Sequence, residues 1–497
     1  MFERVLIANR GEIAVRIART LRAMGIAPVA VYATDDRASL HVRIAEAAHA
    51  LDGVEIAETY LCIEQLVDVA RRAGCQAVHP GYGFLSENAG FAEACENAGI
   101  AFIGPPVSAI RSMGEKTSAR ALMQEAGLAV VPGGAAESLE EARASLAEIG
   151  CPALIKPAAG GGGKGMRRVD SPQELEAAYT RSRSEAERFF GDARVYLERA
   201  LDRPRHVEVQ VLGDRHGNLI HLGARDCSLQ RRHQKIVEEA PCPAFGPEGV
   251  AKLGERCVRA AASIGYESAG TFEFLLDANG EVYFLEMNTR LQVEHPVTEL
   301  LTGVDLVEQM VRVAAGERLD LDSVTPRGAA VECRIYAEAP GRGFLPSPGT
   351  IDTLREPSGP GVRVDSGVCE GAEVSARYDP LLAKLCTWGR DRDQALRRMR
   401  QALSEYVITG VETNLSFHTA LLRHTSFLAG DYSTQFVENA GPWLDEKLAA
   451  DERHTLAAAA AAILELEAGR TARIQTADGA RLPAWVAVHR ADRLRRR

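Results

Sequence analysis

The segment TFEFLLDANGEVYFLEMN most strongly constrains the fold, because it reads as two apolar strands joined by one tight turn. Asn-Gly pairs favour a two-residue type I′ turn, so Asn279 and Gly280 are predicted to form the tip. This register places Glu273 directly opposite Glu286. Asn288 follows two residues later and shares their face, because side chains alternate along a strand.

Two carboxylates that face each other across a sheet repel, so this register calls for a positive charge between them. Carboxylate and amide oxygens are hard ligands, which suit Mg²⁺ or Mn²⁺ that also holds phosphate oxygens. The alternative is an exposed sheet face with solvated acids. In either case we expect the opposite face to be apolar and filled by Phe272, Phe274, Tyr283 and Leu285.

The N-terminal part of the chain alternates strands and helices. An apolar strand, RVLIAN, precedes a helical pattern and a second buried strand, APVAVYA, and the alternation continues to AFIG. This order predicts an α/β doubly wound domain with a parallel sheet. Its first turn, ANRGEIAVRI, lacks the GxGxxG pattern, so a dinucleotide site is not supported.

From about Met113 the pattern changes to α+β, with a helix, a glycine run and segments that read as antiparallel hairpins. A third unit follows about Gly328, with strands such as AAVECRIYAE and a helix at RDQALRRMRQALSEY. The last part differs again, because it begins with six consecutive Ala from Ala457 and continues as irregular polar sequence.

Composition narrows the class of protein. A net charge of -10 over 497 residues argues against a general nucleic-acid binder, which would carry a basic patch. No stretch approaches the roughly 20 apolar residues that span a bilayer, and the start does not resemble an export signal. The ten Cys are scattered without a CxxC pair. Free thiols in a reducing compartment are therefore expected, which predicts a cytoplasmic protein.

The segment LIKPAAGGGGKGM combines a strand that ends at Lys156 with a glycine run completed by Gly165. A loop without Cβ atoms can point backbone N–H groups at phosphates, and Lys156 would add a point charge. The loop is not a Walker A motif, because Lys164 is followed by Gly165 and not by Ser or Thr. A flexible turn is the alternative interpretation.

Two further segments allow two interpretations each. In RDCSLQRRHQKIVEEAP, an extended backbone would bring His233 and Lys235 onto one face, but such a run is also typical of a solvated charged face. HPGYGFLSEN is either a glycine-rich turn that enters a helix or a ligand-binding loop.

Taken in order, these motifs resemble the biotin carboxylase family, the ATP-grasp component of acetyl-CoA and other acyl-CoA carboxylases. The resemblance runs from Met1 to about Leu444. The motifs are ANRGEIAVRI, HPGYGFLSEN, KPAAGGGGKGM, RHVEVQV, DCSLQRRHQK, TFEFL, EMNTRLQVEHPVTE and FLPSPG.

The resemblance implies a multidomain fold. Its parts are an N-terminal domain at 1–112, an ATP-grasp domain at 113–327 with a mobile lid at about 131–203, a C-terminal biotin carboxylase domain at 328–446, and an Ala-rich, basic tail at 447–497.

It also implies a reaction with defined cofactors and partners. ATP and bicarbonate give carboxyphosphate, which breaks down to CO₂ and phosphate, and CO₂ is transferred to N1′ of biotin with Mg²⁺ or Mn²⁺ as the cofactor. None of the eight Met is followed by Lys, so the chain lacks the biotin-carrying Met-Lys-Met motif of longer relatives. The resemblance therefore implies a homodimer that works with a separate biotin carboxyl carrier protein and with a carboxyltransferase subunit, without nucleic acid and without a membrane.

Site residues carry over from the family's motifs by position. Glu294 matches the general base that removes the bicarbonate proton, which requires reach and a pKa not far below the working pH. Arg334 matches the residue that stabilises charge on the biotin ureido oxygen. The bicarbonate site is implied at Lys235, Arg290, Gln292, Val293 and Glu294, biotin contacts at Tyr82, Gly83 and Arg334, and metal ligands at Glu273, Glu286 and Asn288. The implied ATP site comprises Lys116, Lys156, Gly161, Gly162, Gly163, Gly165, Glu198, Leu201, His206, Gln230 and His233.

Two rival functions share parts of this pattern. Another ATP-grasp ligase, such as a carbamoyl-phosphate or purine-pathway enzyme, would use a similar metal hairpin, but the RLQVEHP and HPGYGFLSEN loops argue against it. A non-catalytic ATP-binding scaffold would have lost a base or a metal ligand, whereas Glu273, Glu286, Asn288, Glu294 and Arg334 are all present.

Overall fold

The computed structural model describes residues 1–157, 165–321 and 323–449, apart from the side chains of Lys116, Thr117 and Phe190. The chain divides into two compact units, residues 1–445 and 446–497. The strands and helices given below belong to the first unit. The predicted tail lies outside the described residues from position 450 onward. Across the described ranges, no helix is both long and apolar enough to cross a bilayer.

The first sheet confirms the predicted doubly wound domain. Its region contains β1 (Arg4–Ile7), α1 (Gly11–Ala23), β2 (Ala27–Tyr32), α2 (Leu40–Ile44), β3 (Ala47–Ala50), α3 (Ile63–Arg72), β4 (Ala77–His79), α4 (Ala89–Asn97), β5 (Ala101–Phe102) and α5 (Val107–Gly114). The strands pair in parallel in the order β3-β2-β1-β4-β5. Val5 and Leu6 are fully buried on opposite faces, because helices cover both sides of a parallel sheet.

A small antiparallel sheet follows. Its region contains α6 (Lys116–Glu125), β6 (Gly133–Ala136), α7 (Leu139–Ile149), β7 (Ala153–Pro157), β8 (Arg167–Val169), α8 (Leu175–Phe190) and β9 (Val195–Arg199). The strand order is β6-β9-β7-β8. Leu146 of α7 and Tyr179 of α8 pack against Ile155 and Leu197 of the sheet. Most of the glycine run lies outside the described residues, between β7 and β8.

The largest sheet supplies most of the cavity described below. It is built from β10 (Arg205–Gly213), β11 (Leu219–Arg231), β12 (Gln234–Ala240), β13 (Ser268–Leu276), β14 (Val282–Asn288), β15 (Ala329–Tyr336), β20 (Val362–Ser366) and β22 (Leu381–Gly389). The order across the sheet is β14-β13-β10-β11-β12-β15-β22-β20, and neighbouring strands are antiparallel.

The remaining elements pack around this sheet or extend it. They are α9 (Pro247–Ser263), α10 (His295–Thr302), α11 (Leu306–Ala314), β16 (Glu338–Ala339), β17 (Leu345–Pro346), β18 (Gly349–Thr350), β19 (Thr353–Arg355), β21 (Glu373–Val374), α12 (Arg392–Glu405), β23 (Val407–Thr409), α13 (Leu415–Leu421), α14 (Thr425–Leu428) and α15 (Phe436–Asn439).

The large sheet separates apolar from charged side chains. Val207 and Val209 of β10 and Phe272 of β13 pack in the core with α9. The alternate positions of β10 and β13, and positions along the neighbouring strands, carry polar side chains that are nearly fully buried. These are His206, Glu208, Gln210, Arg225, Glu238, Glu273, Glu332, Arg334 and Lys384. Buried charges need partners, so this sheet must hold an ordered network of ion pairs.

The β13–β14 hairpin confirms the predicted pairing but not the predicted turn. Glu273 lies opposite Glu286. The turn, however, has three residues: Asp277 N–H donates to Glu281 O at 2.9 Å, and Gly280 N–H donates to Asp277 O at 3.1 Å. Only Gly280 of the Asn-Gly pair has a positive φ, at 85°. The tip is therefore not a type I′ turn.

Leu285 of β14 is an extra residue that forms a bulge opposite the step from Glu273 to Phe274. The bulge restores the register that the longer turn would have shifted. It also changes which side chains face the core. Phe284 and Met287 of β14 are buried there with Phe272 and Phe274, whereas Leu285 lines the cavity. The expectation that Tyr283 and Leu285 would fill the apolar face was wrong. Phe284 and Met287 both face the core although they are three positions apart, and this spacing requires a bulge between them.

The segment around His233 is also not extended. Arg231 pairs with Gln234, and the two residues between them, Arg232 and His233, have φ values of 50° and 66°. This left-handed pair forms a two-residue hairpin turn. Left-handed geometry costs roughly 1–2 kcal/mol for each such non-glycine residue. His233 and Lys235 thus reach the cavity from a turn and from a strand, and not from one extended face.

The turn geometry predicts unequal effects of two substitutions at the hairpin tip. Gly280→Ala should lower the thermal unfolding midpoint, because alanine in a left-handed conformation costs roughly 1–2 kcal/mol and a Cβ there meets no neighbouring atom that could compensate. Asn279→Ala should be nearly neutral, since Asn279 does not have positive φ. Differential scanning calorimetry of both variants tests this. A larger loss for Asn279→Ala would support the type I′ turn instead.

Candidate functional site

A cavity of about 770 Å³ lies between the large sheet, the small sheet and the loop that precedes α10. It brings together most of the residues selected from the sequence. Those that line it are Lys156, Glu198, Leu201, His206, Gln230, His233, Lys235, Glu273, Glu286, Asn288, Arg290, Gln292, Val293, Glu294 and Arg334.

The Lys235 ammonium is the central cation of this cavity. Its Nζ donates to Glu273 Oε1 and to Glu294 Oε1 at 2.8 Å each, and it also contacts Glu208 Oε1. Burial on its own would lower the pKa of Lys235, but the three carboxylates outweigh burial and raise that pKa well above its usual value. Lys235 is therefore firmly protonated and neutralises part of a strongly acidic cluster.

Glu273 carries the densest set of contacts. Asn288 Nδ2 and Gln292 Nε2 donate to Glu273 Oε1 at 2.8 and 2.7 Å, and His206 Nε2 lies 2.9 Å from Glu273 Oε2. Burial alone would raise the pKa of Glu273, yet Lys235 and His206 hold that pKa well below its usual range. Glu273 therefore stays ionised.

The donor set at the end of the hairpin fits a hard divalent cation. Glu273 and Glu286 face each other across β13 and β14. Together with Asn288, the third predicted ligand, they line the same cavity. Carboxylate and amide oxygens without nitrogen or sulfur suit Mg²⁺ or Mn²⁺. A divalent cation between the two acids would offset their repulsion, which would otherwise destabilise a plain sheet.

The Arg290 guanidinium is oriented by a residue from the first sheet's region. Arg290 Nε donates to Glu87 Oε2 at 2.9 Å, and its NH2 group donates to Asn288 Oδ1 at 2.8 Å. The Thr289 backbone N–H also donates to Glu87, at 3.0 Å to Oε1. Glu87 thereby ties the loop after β14 to the segment HPGYGFLSEN, which supports the interpretation of that segment as part of the site.

The fully buried guanidinium of Arg225 holds the side chain of Gln292. Arg225 NH2 donates to Gln292 Oε1 at 2.6 Å and to Glu208 Oε2 at 3.0 Å. Arg225 NH1 donates to Thr298 Oγ1 at 3.0 Å. Because Oε1 of Gln292 is taken by Arg225, its Nε2 is the group directed to Glu273. The Arg225 fork thus sets the orientation of the amide that borders the cavity.

Glu294 lies between two cations. Its Oε1 accepts from Lys235, and its Oε2 accepts from Arg334 NH2 at 2.9 Å. Burial and the neighbouring Glu208 raise the pKa of Glu294, but Lys235 and Arg334 outweigh them and leave it below its usual value. Such a carboxylate is ionised and can accept a proton, although it is a weak base while both cations remain on it.

The other end of the cavity has the character of a nucleotide site. Lys156 Nζ forms an ion pair with Glu198, and Arg120, from α6, lies 3.7 Å from the second oxygen of that carboxylate. Leu201 and His233 also line the cavity. A base can pack against such side chains while the cations attract its phosphates.

Several predicted residues lie elsewhere or outside the described residues. Tyr82 and Gly83 do not line the cavity; the Tyr82 hydroxyl donates to the buried Glu12. Gly165 is described but does not line the cavity either. The remaining predictions fall on Gly161, Gly162, Gly163 and the Lys116 side chain, all outside the described residues.

Sequence reasoning missed the charged residues that support the predicted ones. Glu208 holds Lys235, Arg225 holds Gln292, Glu87 holds Arg290 and Glu238 holds Arg334. A partial signal exists in RHVEVQV, where Glu208 lies on the polar side of an alternating strand. The partners of the four residues are 27 to 203 positions away in the chain, so no local pattern indicates the pairing.

Three family models match consecutive parts of the chain. Residues 1–110 match the biotin carboxylase N-terminal domain. Residues 115–322 match the ATP-binding domain of the carbamoyl-phosphate synthase L chain. Residues 332–439 match the biotin carboxylase C-terminal domain. The domains that flank the ATP-binding part therefore distinguish this chain from carbamoyl-phosphate synthases.

Similar proteins cover nearly the same span. A biotin carboxylase from Nostoc sp. is 50% identical over 441 residues, which are 88% of this chain and 99% of that protein. The propionyl-CoA carboxylase alpha chain from Ruegeria pomeroyi is 47% identical, and the match covers 95% of this chain and 73% of that protein. The biotin carboxylase domain dimer of Hydrogenobacter thermophilus 2-oxoglutarate carboxylase, solved with MgADP, ADP and bicarbonate, has a TM-score of 0.86. Its identity is 45%, and the match covers 90% of this chain and 99% of that chain.

The hairpin predicts a metal-binding defect for one substitution and not for another. Glu286→Gln should weaken nucleotide-dependent Mn²⁺ binding by roughly tenfold or more, because a neutral amide replaces a charged ligand. Titration followed by electron paramagnetic resonance, with a non-hydrolysable ATP analogue present, measures the affinity. Glu281→Gln is the matched control, since Glu281 is exposed at the tip of the same hairpin. Equal affinities for both variants would exclude Glu286 as a ligand.

Proposed function

The chain belongs to the biotin carboxylase family, and we propose that its cavity carboxylates biotin on a separate carrier protein, using ATP and bicarbonate. The observation that carries this proposal is the placement of Lys235, Glu294 and Arg334 in one hydrogen-bonded row beside the Glu273–Glu286 pair. A cation for an anionic substrate, a carboxylate base and a second cation are thus adjacent to a site for a metal and phosphates. ATP-dependent carboxylation requires these groups side by side.

Bicarbonate binds among the cations at the start of α10. Arg290 offers a planar fork to the anion, and Lys235 offers a point charge. Gln292 and the backbone at Val293 complete the pocket. Lys384 Nζ donates to the Val293 carbonyl at 3.0 Å, which fixes the backbone that the anion meets.

Glu294 acts as the general base on bicarbonate. In the ligand-free arrangement Lys235 and Arg334 lower its pKa. Once bicarbonate and biotin are bound, Lys235 and Arg334 each gain a negatively charged partner. Their contact with Glu294 weakens as a result. The pKa of Glu294 then rises, because a nearby positive charge had stabilised the ionised carboxylate. The base is therefore weak until the substrates arrive.

ATP occupies the end of the cavity near Lys156. The lysine ammonium and the glycine loop face the phosphates, while Glu198 and Leu201 lie beside the adenine. Glu273, Glu286 and Asn288 would hold Mg²⁺, which would neutralise phosphate charge. Attack of the bicarbonate oxygen on the terminal phosphate gives carboxyphosphate and ADP. Carboxyphosphate breaks down to CO₂ and phosphate, and that phosphate takes the N1′ proton of biotin.

Arg334 stabilises the negative charge that develops on the ureido oxygen of biotin. The guanidinium lines the cavity next to Glu294, which keeps the site of CO₂ release close to the site of CO₂ capture. A positive charge aimed at a developing oxyanion lowers the barrier because it is already oriented before the reaction. Tyr82 and Gly83 lie outside the cavity lining, so their proposed contacts to biotin require the ring to extend toward the loop that follows β4.

We further propose how the chain is organised and where it works. The domains are 1–112, 113–327 and 328–446, with 131–203 as a lid; the small sheet that spans β6 to β9 supports the lid assignment. Partners are a second copy of the chain, a biotin carboxyl carrier protein and a carboxyltransferase subunit. Two relatives support this: the Ruegeria protein is the alpha chain of its carboxylase, and the Hydrogenobacter domain is a dimer. Ten free thiols fit a cytoplasmic location.

Glu294→Gln should abolish the biotin-stimulated reaction. We expect the rate of bicarbonate-dependent ATP hydrolysis with biotin to fall by roughly 10²- to 10⁴-fold, the usual contribution of a positioned base. Binding of MgADP should change little, because Glu294 lies at the bicarbonate end of the cavity. Glu248→Gln is the control, since Glu248 is exposed at the start of α9.

The outcomes of this assay discriminate among the rival functions. Turnover by the unmodified chain that does not respond to biotin would favour another ATP-grasp ligase. No turnover even with a carrier protein present would favour a non-catalytic scaffold. Full activity of Glu294→Gln would leave the reaction in place but exclude Glu294 as its base.

A biotinylated carrier should be a better substrate than free biotin. The carrier adds binding contacts away from the reacting ring, and such remote binding raises kcat/KM. Measuring kcat/KM for biotin and for a biotinylated carrier domain from a related carboxylase tests this. Equal values would show that the chain does not recognise the carrier.

A further inference from the structure

A pair of buried acids lies behind Arg334 on the large sheet. Glu238 of β12 is directly opposite Glu332 of β15, and neither side chain is exposed to solvent. On the next strand pair, Arg334 of β15 is directly opposite Lys384 of β22. Like charges therefore face each other in both strand pairs. Such an arrangement destabilises a sheet unless opposite charges and protons are shared between the pairs.

The hydrogen bonds account for only half of the carboxyl oxygens. Arg334 Nε donates to Glu238 Oε1 at 2.6 Å, and the Cys386 thiol donates to Glu332 Oε2 at 3.3 Å. Within the described part of the chain, Glu238 Oε2 and Glu332 Oε1 are buried and have no hydrogen-bond partner. One proton on Glu332 lowers the repulsion between the two acids and gives the Glu332 side chain an O–H donor.

Electrostatics agree with one proton on this pair. Burial and the neighbouring Glu238 raise the pKa of Glu332 well above its usual value. Burial is also the largest influence on Glu238, whose pKa is raised to about 7, with Arg334 opposing the shift. Glu332 is then neutral at neutral pH, while Glu238 is the member that ionises there. The other charged groups that face Glu238 are Lys235 on its own strand, Arg334 on β15 and Glu294 at the start of α10.

Glu238 reaches the cavity only through Arg334. It does not line the cavity, whereas Arg334 does. Glu238 holds the Nε edge of the guanidinium, which leaves the NH2 group for Glu294, at 2.9 Å, and for a substrate. Without a charged partner at Nε, the guanidinium would be drawn onto the remaining carboxylate, Glu294.

We propose that Glu238 is a positioning residue for the biotin step, holding the Nε edge of Arg334 so that the NH2 group is left for the base and the substrate, and that Glu332 supports it by carrying the proton of the acid pair. The inference rests on the proposed function. It adds that the reaction depends on an acid that never touches a substrate. It also gives the two facing acids different roles, so their substitutions should have different effects.

Glu238→Gln tests the first role. The amide keeps the size of the side chain and removes its charge. We expect kcat/KM for biotin to fall roughly tenfold to hundredfold, the loss typical of a charge-assisted hydrogen bond. KM for ATP should stay within about twofold, since the nucleotide end of the cavity does not contact Glu238. Unchanged kcat and KM for biotin would overturn the proposal.

Glu332→Gln is the matched control. Its amide N–H₂ reproduces the donor of a protonated carboxyl, so activity with biotin should remain within about twofold of the unmodified chain. A loss equal to that of Glu238→Gln would show that both acids merely hold the sheet together, and this would overturn the proposal. Glu238→Asp, which keeps the charge, should recover part of the activity that Glu238→Gln loses.

A pH profile of the unmodified chain needs no variant. As pH falls through about 7, Glu238 takes a proton and loses its hold on Arg334, so kcat/KM for biotin should decrease on the acid side. In Glu238→Gln this acid limb should be absent. An unmodified chain with no acid limb between pH 6 and 8, roughly one unit either side of that pKa, would overturn the proposal. A chain that never responds to biotin would instead refute the proposed function.

Discussion

The site depends on one buried ammonium. Lys235 neutralises three carboxylates that would otherwise repel one another inside the protein, namely Glu208, Glu273 and Glu294. Removing one partner from a buried ion pair typically costs about 3–5 kcal/mol, because the other charge stays buried and unpaired. In the proposed reaction, a metal ion would replace the ammonium at the acids while an anion binds the ammonium. This makes binding of the positive and negative ligands mutually dependent.

Hydrogen bonds and ion pairs of charged side chains also connect the first sheet to the loop before α10. The Tyr82 hydroxyl donates to Glu12, Glu12 pairs with Lys384 at 3.1 Å, and Lys384 donates to the Val293 carbonyl. Arg290 is held in turn by Glu87. Two separate sets of contacts therefore join the N-terminal region to the short loop before α10. Leu291 anchors the loop in the apolar core, and the charged neighbours hold Arg290 and the Val293 carbonyl on either side of it.

Local sequence patterns predicted those features of the fold that depend on residues close together in the chain. The parallel sheet follows from alternating apolar runs and glycines, and the hairpin follows from its turn signal. Glu273 lies opposite Glu286, however, because the bulge offsets the longer turn. Tertiary packing decided the rest. The bulge exists because Phe284 and Met287 both reach the core, and the left-handed turn at Arg232 contains no glycine to announce it. The resemblance of the motifs to a family supplied the residue roles, which no pattern of charge or spacing would have given.

The bulge in β14 has a consequence for how this hairpin can vary. Between Phe284 and Glu286 the strand changes phase, so the half near the tip and the half near the cavity are paired independently. If the register near the tip shifts, the bulge at Leu285 can accommodate the shift, and Glu286 stays opposite Glu273. The exposed tip should therefore tolerate inserted residues, for example an epitope or a fluorophore-labelling sequence, whereas a single insertion after Leu285 would turn the cavity-facing side chains toward the core.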